Sequence, residues 1–124
     1  MPKILVVDDQ DNLLKLYEME LKEDGFEVTV ANNAREALEH FQRERPDLVV
    51  LDIRMPGMDG LETIGHMLAI DRSVPVIFNS AYPVYRDNFL SWLAEAYVCK
   101  SSDLTELRRK IREVLSSRIA PEKR

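Results

Sequence analysis

Cysteine is all but missing from this chain: Cys99 stands alone among 124 residues. A single thiol cannot close an internal disulfide, and free thiols suit a reducing compartment, so a cytoplasmic location is expected. Long apolar runs are also missing. No stretch reads as a signal peptide, transit segment or membrane span, so no membrane partner is expected. Internal repeats, low-complexity tracts and linkers are absent too. Positive charge is in short supply: 17 Lys and Arg face 22 Asp and Glu, a net charge of −5. That balance argues against nucleic acid as a direct partner. Basic residues do gather near the C-terminus (Arg108, Arg109, Lys110, Arg112, Arg118, Lys123, Arg124), but they interleave with glutamates and read as a solvated helix face.

The remaining composition, 45% hydrophobic and 31% charged, is ordinary for a soluble globular protein. The length suits one core, so residues 1–124 are read as one domain.

The most informative stretch is Asp47-Leu48-Val49-Val50-Leu51-Asp52. Four consecutive aliphatics, rich in valine and preceded by Pro46, predict a strand buried on both faces. The run stops at a carboxylate. Ile53 through Gly60, with one proline and two glycines, then reads as a loop leading into a helix. A carboxylate at the carboxyl end of a buried strand lies where open α/β sheets place their chemistry.

The other strands repeat the theme. Lys3-Ile4-Leu5-Val6-Val7 ends in Asp8 and Asp9. Phe26 through Ala31 alternates as a strand. Pro75 through Asn79 ends at Ser80, and Ala96 through Cys99 ends at Lys100. Helices are expected between them. The first has Asp11 as its cap, Leu14, Tyr17 and Leu21 on one face, and Asp24-Gly25 as its stop. The second opens on a capping box, Asn33 with Glu36, and carries Ala34, Ala37, Leu38 and Phe41 on one face. The third has Asp59 as its cap and buries Leu61, Ile64 and Leu68, although Gly65 weakens it. The fourth, from Tyr85 to Ala94, spaces Tyr85, Phe89, Trp92 and Leu93 helically. The fifth opens on an Asp103 and Glu106 cap pattern and lines Leu104, Leu107, Ile111, Val114 and Leu115 along one face. Five strands alternating with five helices predict a doubly wound α/β fold: a five-stranded parallel sheet of flavodoxin-like order 2-1-3-4-5.

In a parallel sheet the strand ends share one edge. Asp8, Asp9, Asp52, Ser80 and Lys100 can therefore converge. Carboxylates brought together raise one another's pKa, and a divalent cation relieves that. Mg²⁺ suits two or three carboxylates plus a backbone carbonyl. The hydroxyl and the ammonium then fit an oxygen-rich anion such as a phosphoryl group, and an aspartate can itself be the nucleophile in phosphoryl transfer.

These residues carry a resemblance. Asp8-Asp9, Asp52 followed by Met55-Pro56-Gly57-Met58-Asp59-Gly60, Ser80-Ala81, and Ala96-Tyr97-Val98-Cys99-Lys100 resemble the receiver domain of two-component response regulators, over the whole chain. Each piece alone is weak; five in order at the correct strand ends are specific. The resemblance implies that Asp52 is the phosphoacceptor. It also implies that Asp8, Asp9, Asp52 and the backbone carbonyl of Arg54 hold Mg²⁺. Ser80 and Lys100 would bind phosphoryl oxygens, with Tyr97 as the aromatic switch. Implied partners are a sensor histidine kinase or phosphotransfer protein and an output partner of unknown identity on the helix 4–strand 5–helix 5 face. Homodimerisation is left open. Such a receiver catalyses only its own phosphorylation and dephosphorylation. The side chains at Arg54 and Tyr82 would flank the path of hydrolytic water and tune the phosphoryl lifetime.

The chain also departs from the family. Most members have a cis proline after the lysine; here Ser101 follows Lys100. A non-proline cis bond costs about 2.5–4 kcal/mol, so a trans bond with a rebuilt turn is expected. The segment from Ser80 to Lys100 is shorter than usual, and either a stand-alone receiver or part of a longer protein fits. Three other functions fit these residues less well. A haloacid dehalogenase-type phosphohydrolase needs an acid two positions after its nucleophile, where Arg54 stands. A receiver-like scaffold that is never phosphorylated would not need the full acidic set. A flavin carrier would need a phosphate loop where Asp8-Asp9-Gln10-Asp11 repels one. His40 and His66 lack a paired ligand nearby, and Met55, Met58 and Asp59 are expected to pack or cap.

Overall fold

The computed structural model describes residues 1–52, 60–80, 96–101 and 103–119. Its elements run β1 (Lys3–Val7), α1 (Asp11–Glu23), β2 (Glu27–Ala31), α2 (Ala34–Glu44), β3 (Leu48–Leu51), α3 (Gly60–Ile70), β4 (Val76–Ser80), β5 (Ala96–Cys99) and α4 (Thr105–Ile119). The sheet order is β2-β1-β3-β4-β5, and every neighbouring pair is parallel. This is the expected flavodoxin-like arrangement. Four helices are described; the helix expected from Tyr85 to Ala94 lies outside the described residues.

The pleat explains the apolar runs. Successive side chains on a strand point to opposite faces, so a strand covered on both sides needs apolar residues at every position. Leu5, Val7, Val49, Leu51, Val76 and Phe78 pack on one face with Ala37 and Phe41 of α2 and Ile64 and Met67 of α3. Ile4, Val6, Leu48, Val50, Ile77 and Val98 pack on the other with Leu14, Tyr17 and Leu21 of α1 and Leu107 and Ile111 of α4. The edge strand β2 is covered less, and Glu27 is exposed while Val28, Thr29 and Val30 are half-buried. Gly65 does not break α3, whose buried stripe is Ile64 and Met67, with Leu68 only partly buried. Among the described residues no helix is long and apolar enough to cross a membrane.

Helix ends follow local hydrogen bonding, with two corrections to the sequence reading. The residue before α1 is Gln10 rather than Asp11, and it makes no side-chain cap. Its own N–H donates to Asp8 Oδ1 at 2.9 Å. Asp11 instead opens the helix and accepts from Asn32 Nδ2 at 3.3 Å. In α2 the asparagine half of the capping box is present: Asn33 Oδ1 accepts from the Glu36 N–H at 2.9 Å. Glu36, however, reaches past Asn33 to the Asn32 N–H at 3.4 Å. Ahead of α4, Asp103 accepts from the Thr105 N–H at 3.0 Å, as a capping carboxylate should. Gly25 ends α1 with φ of +94°, a region costly for any residue with a Cβ. The Lys100–Ser101 bond is trans, as expected.

Arg108 of α4 ties the two helices on one face together. Its Nε and Nη2 donate to the two carboxylate oxygens of Asp24 at 2.8 and 2.6 Å, and Nη1 reaches Glu20 at 3.2 Å. A bidentate fork of this kind is geometrically specific. The Arg108 hydrogen bond holds the Asp24 carboxyl below its ordinary value of 3.8. A lowered folded pKa stabilises above the unfolded value and loses that contribution as pH falls through the folded one. Arg108→Gln should therefore be less stable than the parent near neutral pH. The gap in urea unfolding free energy should narrow as pH falls below 3.8.

Candidate functional site

The carboxyl edge of the sheet gathers the candidate residues. β1 ends at Val7 and β3 at Leu51, and these two residues are register partners. The next residues, Asp8 and Asp52, therefore leave the sheet side by side. Backbone bonds fix both: the Asp8 N–H donates to the Ala31 carbonyl at 3.1 Å, and the Asp52 N–H to the Val7 carbonyl at 3.0 Å. Asp8 is 1% and Asp52 4% exposed, unusual burial for carboxylates. Asp9 is exposed beside them. One carboxylate oxygen from each of Asp8, Asp9 and Asp52 lies within 4.8 Å of the others.

Lys100 closes the cluster. Its Nζ lies 2.8 Å from Asp8 Oδ2 and 3.1 Å from Asp52 Oδ2. Burial by itself would lower the lysine pKa, but the two carboxylates outweigh it and raise the value, so Lys100 is a firm cation. The Asp8 Oδ2 atom is fully buried, and no hydrogen bond of acceptable geometry reaches it. The Lys100 ammonium is close enough for an ion pair but at a poor angle for a hydrogen bond. A buried carboxylate oxygen with that much unspent acceptor capacity fits a metal-oxygen contact, and the all-oxygen donor set fits a hard divalent cation.

The structure brings Asp8, Asp9, Asp52 and Lys100 together as the sequence implied. Ser80 is the last residue of β4, paired with Cys99, which puts its backbone at the same edge. Tyr97 lies in β5 opposite Phe78. Arg54, Tyr82, Met55, Met58 and Asp59 lie outside the described residues. Cys99 is in a strand, as expected, but is exposed rather than packed. Sequence reasoning missed a buried polar pair just beneath the site: Asn79 Nδ2 donates to the Tyr17 hydroxyl at 3.0 Å. The available signal was an amide inside an otherwise apolar strand.

A doubly wound parallel sheet of order 2-1-3-4-5 defines the flavodoxin-like class. Within that class, residues 4–112 match the response regulator receiver domain family, and the chain belongs to it. The transcriptional regulatory protein PrrA of Mycobacterium leprae is 38% identical over 119 residues, covering 94% of this chain and 51% of PrrA. The regulatory protein AtoC of Escherichia coli is 40% identical over 107 residues, covering 85% of this chain and 23% of AtoC. The chain thus spans about half the length of PrrA and under a quarter of AtoC. The response regulator TrrA of Thermotoga maritima, solved in complex with Mg²⁺-BeF, has a TM-score of 0.87 and 42% identity, covering 91% of this chain and 98% of TrrA. TrrA solved in complex with the histidine kinase ThkA gives a TM-score of 0.86 and 43% identity, covering 93% of this chain and 99% of the matched one.

Removing the lysine should expose how much charge the site holds. Lys100→Met leaves Asp8 and Asp52 buried without their cation. Breaking a buried pair typically costs about 3–5 kcal/mol. Urea unfolding in a chelating buffer should show a loss of that order.

Proposed function

We propose that this chain is a phosphorylation-switched receiver, with residues 1–124 as one receiver domain and Asp52 as its phosphoacceptor. The observation that carries this is the convergence of two buried carboxylates, Asp8 and Asp52, with exposed Asp9 and the Lys100 ammonium. Family membership and the likeness to a response regulator bound to Mg²⁺-BeF support it.

On this reading Asp8, Asp9 and Asp52, with the backbone carbonyl of Arg54, hold Mg²⁺. Bound there, the cation supplies charge neutralisation between the carboxylates and an incoming phosphoryl group. An Asp52 carboxylate oxygen attacks phosphorus of a phosphohistidine donor. The P–N bond breaks, and the departing imidazole takes a proton from water. Lys100 and Ser80 stabilise the phosphoryl oxygens. The donor is a sensor histidine kinase or phosphotransfer protein, a reading supported by the TrrA–ThkA complex. Tyr97 is the switch aromatic, and phosphorylation repacks the face expected from β5, α4 and the helix read from Tyr85 to Ala94, which lies outside the described residues, for an output partner. Homodimerisation through that face is left open. The activity is signalling in the cytoplasm. Its chemistry is limited to the domain's own phosphorylation and dephosphorylation.

Intact mass after incubation with Mg²⁺ and a small phosphodonor tests the proposal. The parent should gain one phosphoryl group and Asp52→Asn none. Asp9→Ala should bind Mg²⁺ about tenfold or more weakly by calorimetry and lose transfer, since even the partners that only orient a metal's ligands are typically worth about that much. An unmodified parent chain would sink the assignment.

Arg54 and Tyr82 are assigned as shields that slow hydrolysis of the aspartyl phosphate. By the family pattern they flank the approach of the attacking water. Neither is a carboxylate or amide that would orient that water, and a guanidinium stabilises the phosphorylated ground state. Arg54→Asn and Tyr82→Glu should each lose phosphoryl about tenfold faster, roughly 1.4 kcal/mol off the barrier. Decay at the parent's rate in both would leave the lifetime to a partner phosphatase.

A further inference from the structure

Tyr17 and Asn79 form a buried polar contact. Tyr17 is fully buried and Asn79 only 3% exposed. The ring sits in the cluster containing Leu14, Leu21, Ile77 and Val98. A phenylalanine and a leucine would fill similar space without desolvating an amide and a hydroxyl. Replacing a buried polar pair by apolar groups of like shape is often neutral or stabilising, so packing does not account for this pair.

The placement of the pair supplies the account. Tyr17 is carried by α1, which begins three residues after Asp8. Asn79 immediately precedes Ser80 in β4. β1 and β4 are not neighbours, because β3 lies between them. The hydrogen bond therefore fixes α1, which follows the acidic residues, against the carboxyl end of β4 by a direct side-chain link. Lys100 leaves β5 beyond β4, so its reach to Asp8 and Asp52 crosses the carboxyl end of β4.

We infer that Tyr17 and Asn79 are positioning residues for phosphoryl transfer: their bond holds the carboxyl end of β4, and with it Ser80, in place beside Asp8 and Asp52. This rests on the phosphorylation reading above. Neither residue touches a reacting atom. The phenol is nonetheless within electrostatic reach of the cluster. Burial raises its pKa most, the Asn79 bond lowers it, and the Asp8 charge raises it again, so the hydroxyl keeps its proton. Shifts of an ångström at a supporting residue are enough to cost a large factor in rate.

The test separates positioning from packing. Tyr17→Phe combined with Asn79→Leu replaces both polar groups and leaves neither unpaired. Its urea unfolding should match or exceed the parent's. Phosphoryl gain from a small phosphodonor, timed by intact mass across donor concentrations, should show a maximal rate lower by about tenfold. Donor half-saturation and Mg²⁺ affinity should stay within about twofold of the parent. Tyr17→Phe combined with Asn79→Val is the second variant and gives the same reading if the first does not fold. A parent-like maximal rate overturns the inference, as does a loss shared equally by Mg²⁺ affinity, which marks a general structural role. A parent chain that takes up no phosphoryl overturns the phosphorylation reading and this one with it. A parent that is modified while both variants match it overturns this one alone.

Discussion

The side-by-side burial of Asp8 and Asp52 is the constraint on which the rest of the structure depends. Two carboxylates this deep repel each other and lose most of their hydration. They stay together because the backbone leaves them no alternative: each follows a strand whose last residues are paired, and each N–H is bonded to a neighbouring strand. Those strands are in turn held by apolar clusters on both faces of the sheet. The packing therefore stabilises the fold and also holds like charges at a separation they would not choose. The start of α1 helps, since the Gln10 N–H donates to Asp8 and the positive end of the helix lies near.

The identity of the closing cation follows from distance. β5 is two strands from β3 and three from β1. At about 4.8 Å per strand, the gap to β1 is roughly 14 Å. A long side chain from β5 and the carboxylates reaching toward it close the gap together, and the Lys100 ammonium meets both carboxylates. Its compact ammonium can sit between two oxygens on different residues, whereas a guanidinium fork favours one carboxylate. The Arg108 fork on Asp24 shows that second mode elsewhere in the same molecule. The two basic residues thus do different work for reasons visible in their shapes.

Much of this was legible in the chain before any coordinates. β1 and β3 read clearly because burial on both faces demands unbroken apolar runs, and the residue that ends such a run is a strand end by necessity. Parallel order then placed Asp8, Asp52 and Lys100 at one edge with no knowledge of their contacts. Helix starts were less legible because they depend on competition for a few N–H groups. Asp11 reads as a cap, but the Leu13 and Leu14 N–H groups that it would accept from donate to the Gln10 carbonyl, and Glu36 bonds the Asn32 N–H. Cys99, at the end of the edge strand β5, is exposed. The Tyr17–Asn79 bond was hidden for another reason: sixty-two positions separate the partners, and no local pattern links them.

Formal charge explains why this edge is built to take a cation before an anion. Three carboxylates and one ammonium leave two negative charges in the described site. An anion arriving unaccompanied meets that excess at short range, where partial burial weakens solvent screening. A divalent cation cancels it, and the buried Asp8 Oδ2 is an acceptor with capacity to spare for one. A phosphate-binding helix start, by contrast, keeps its N–H groups free and carries no carboxylates. Here the first turn's approach is occupied by Asp8, Asp9 and Asp11, and one N–H is already given to Asp8. On the proposed reading, the acidic residues that disfavour direct anion binding at α1 are the same ones that make metal-assisted binding at Asp52 the chemistry suited to this sheet edge.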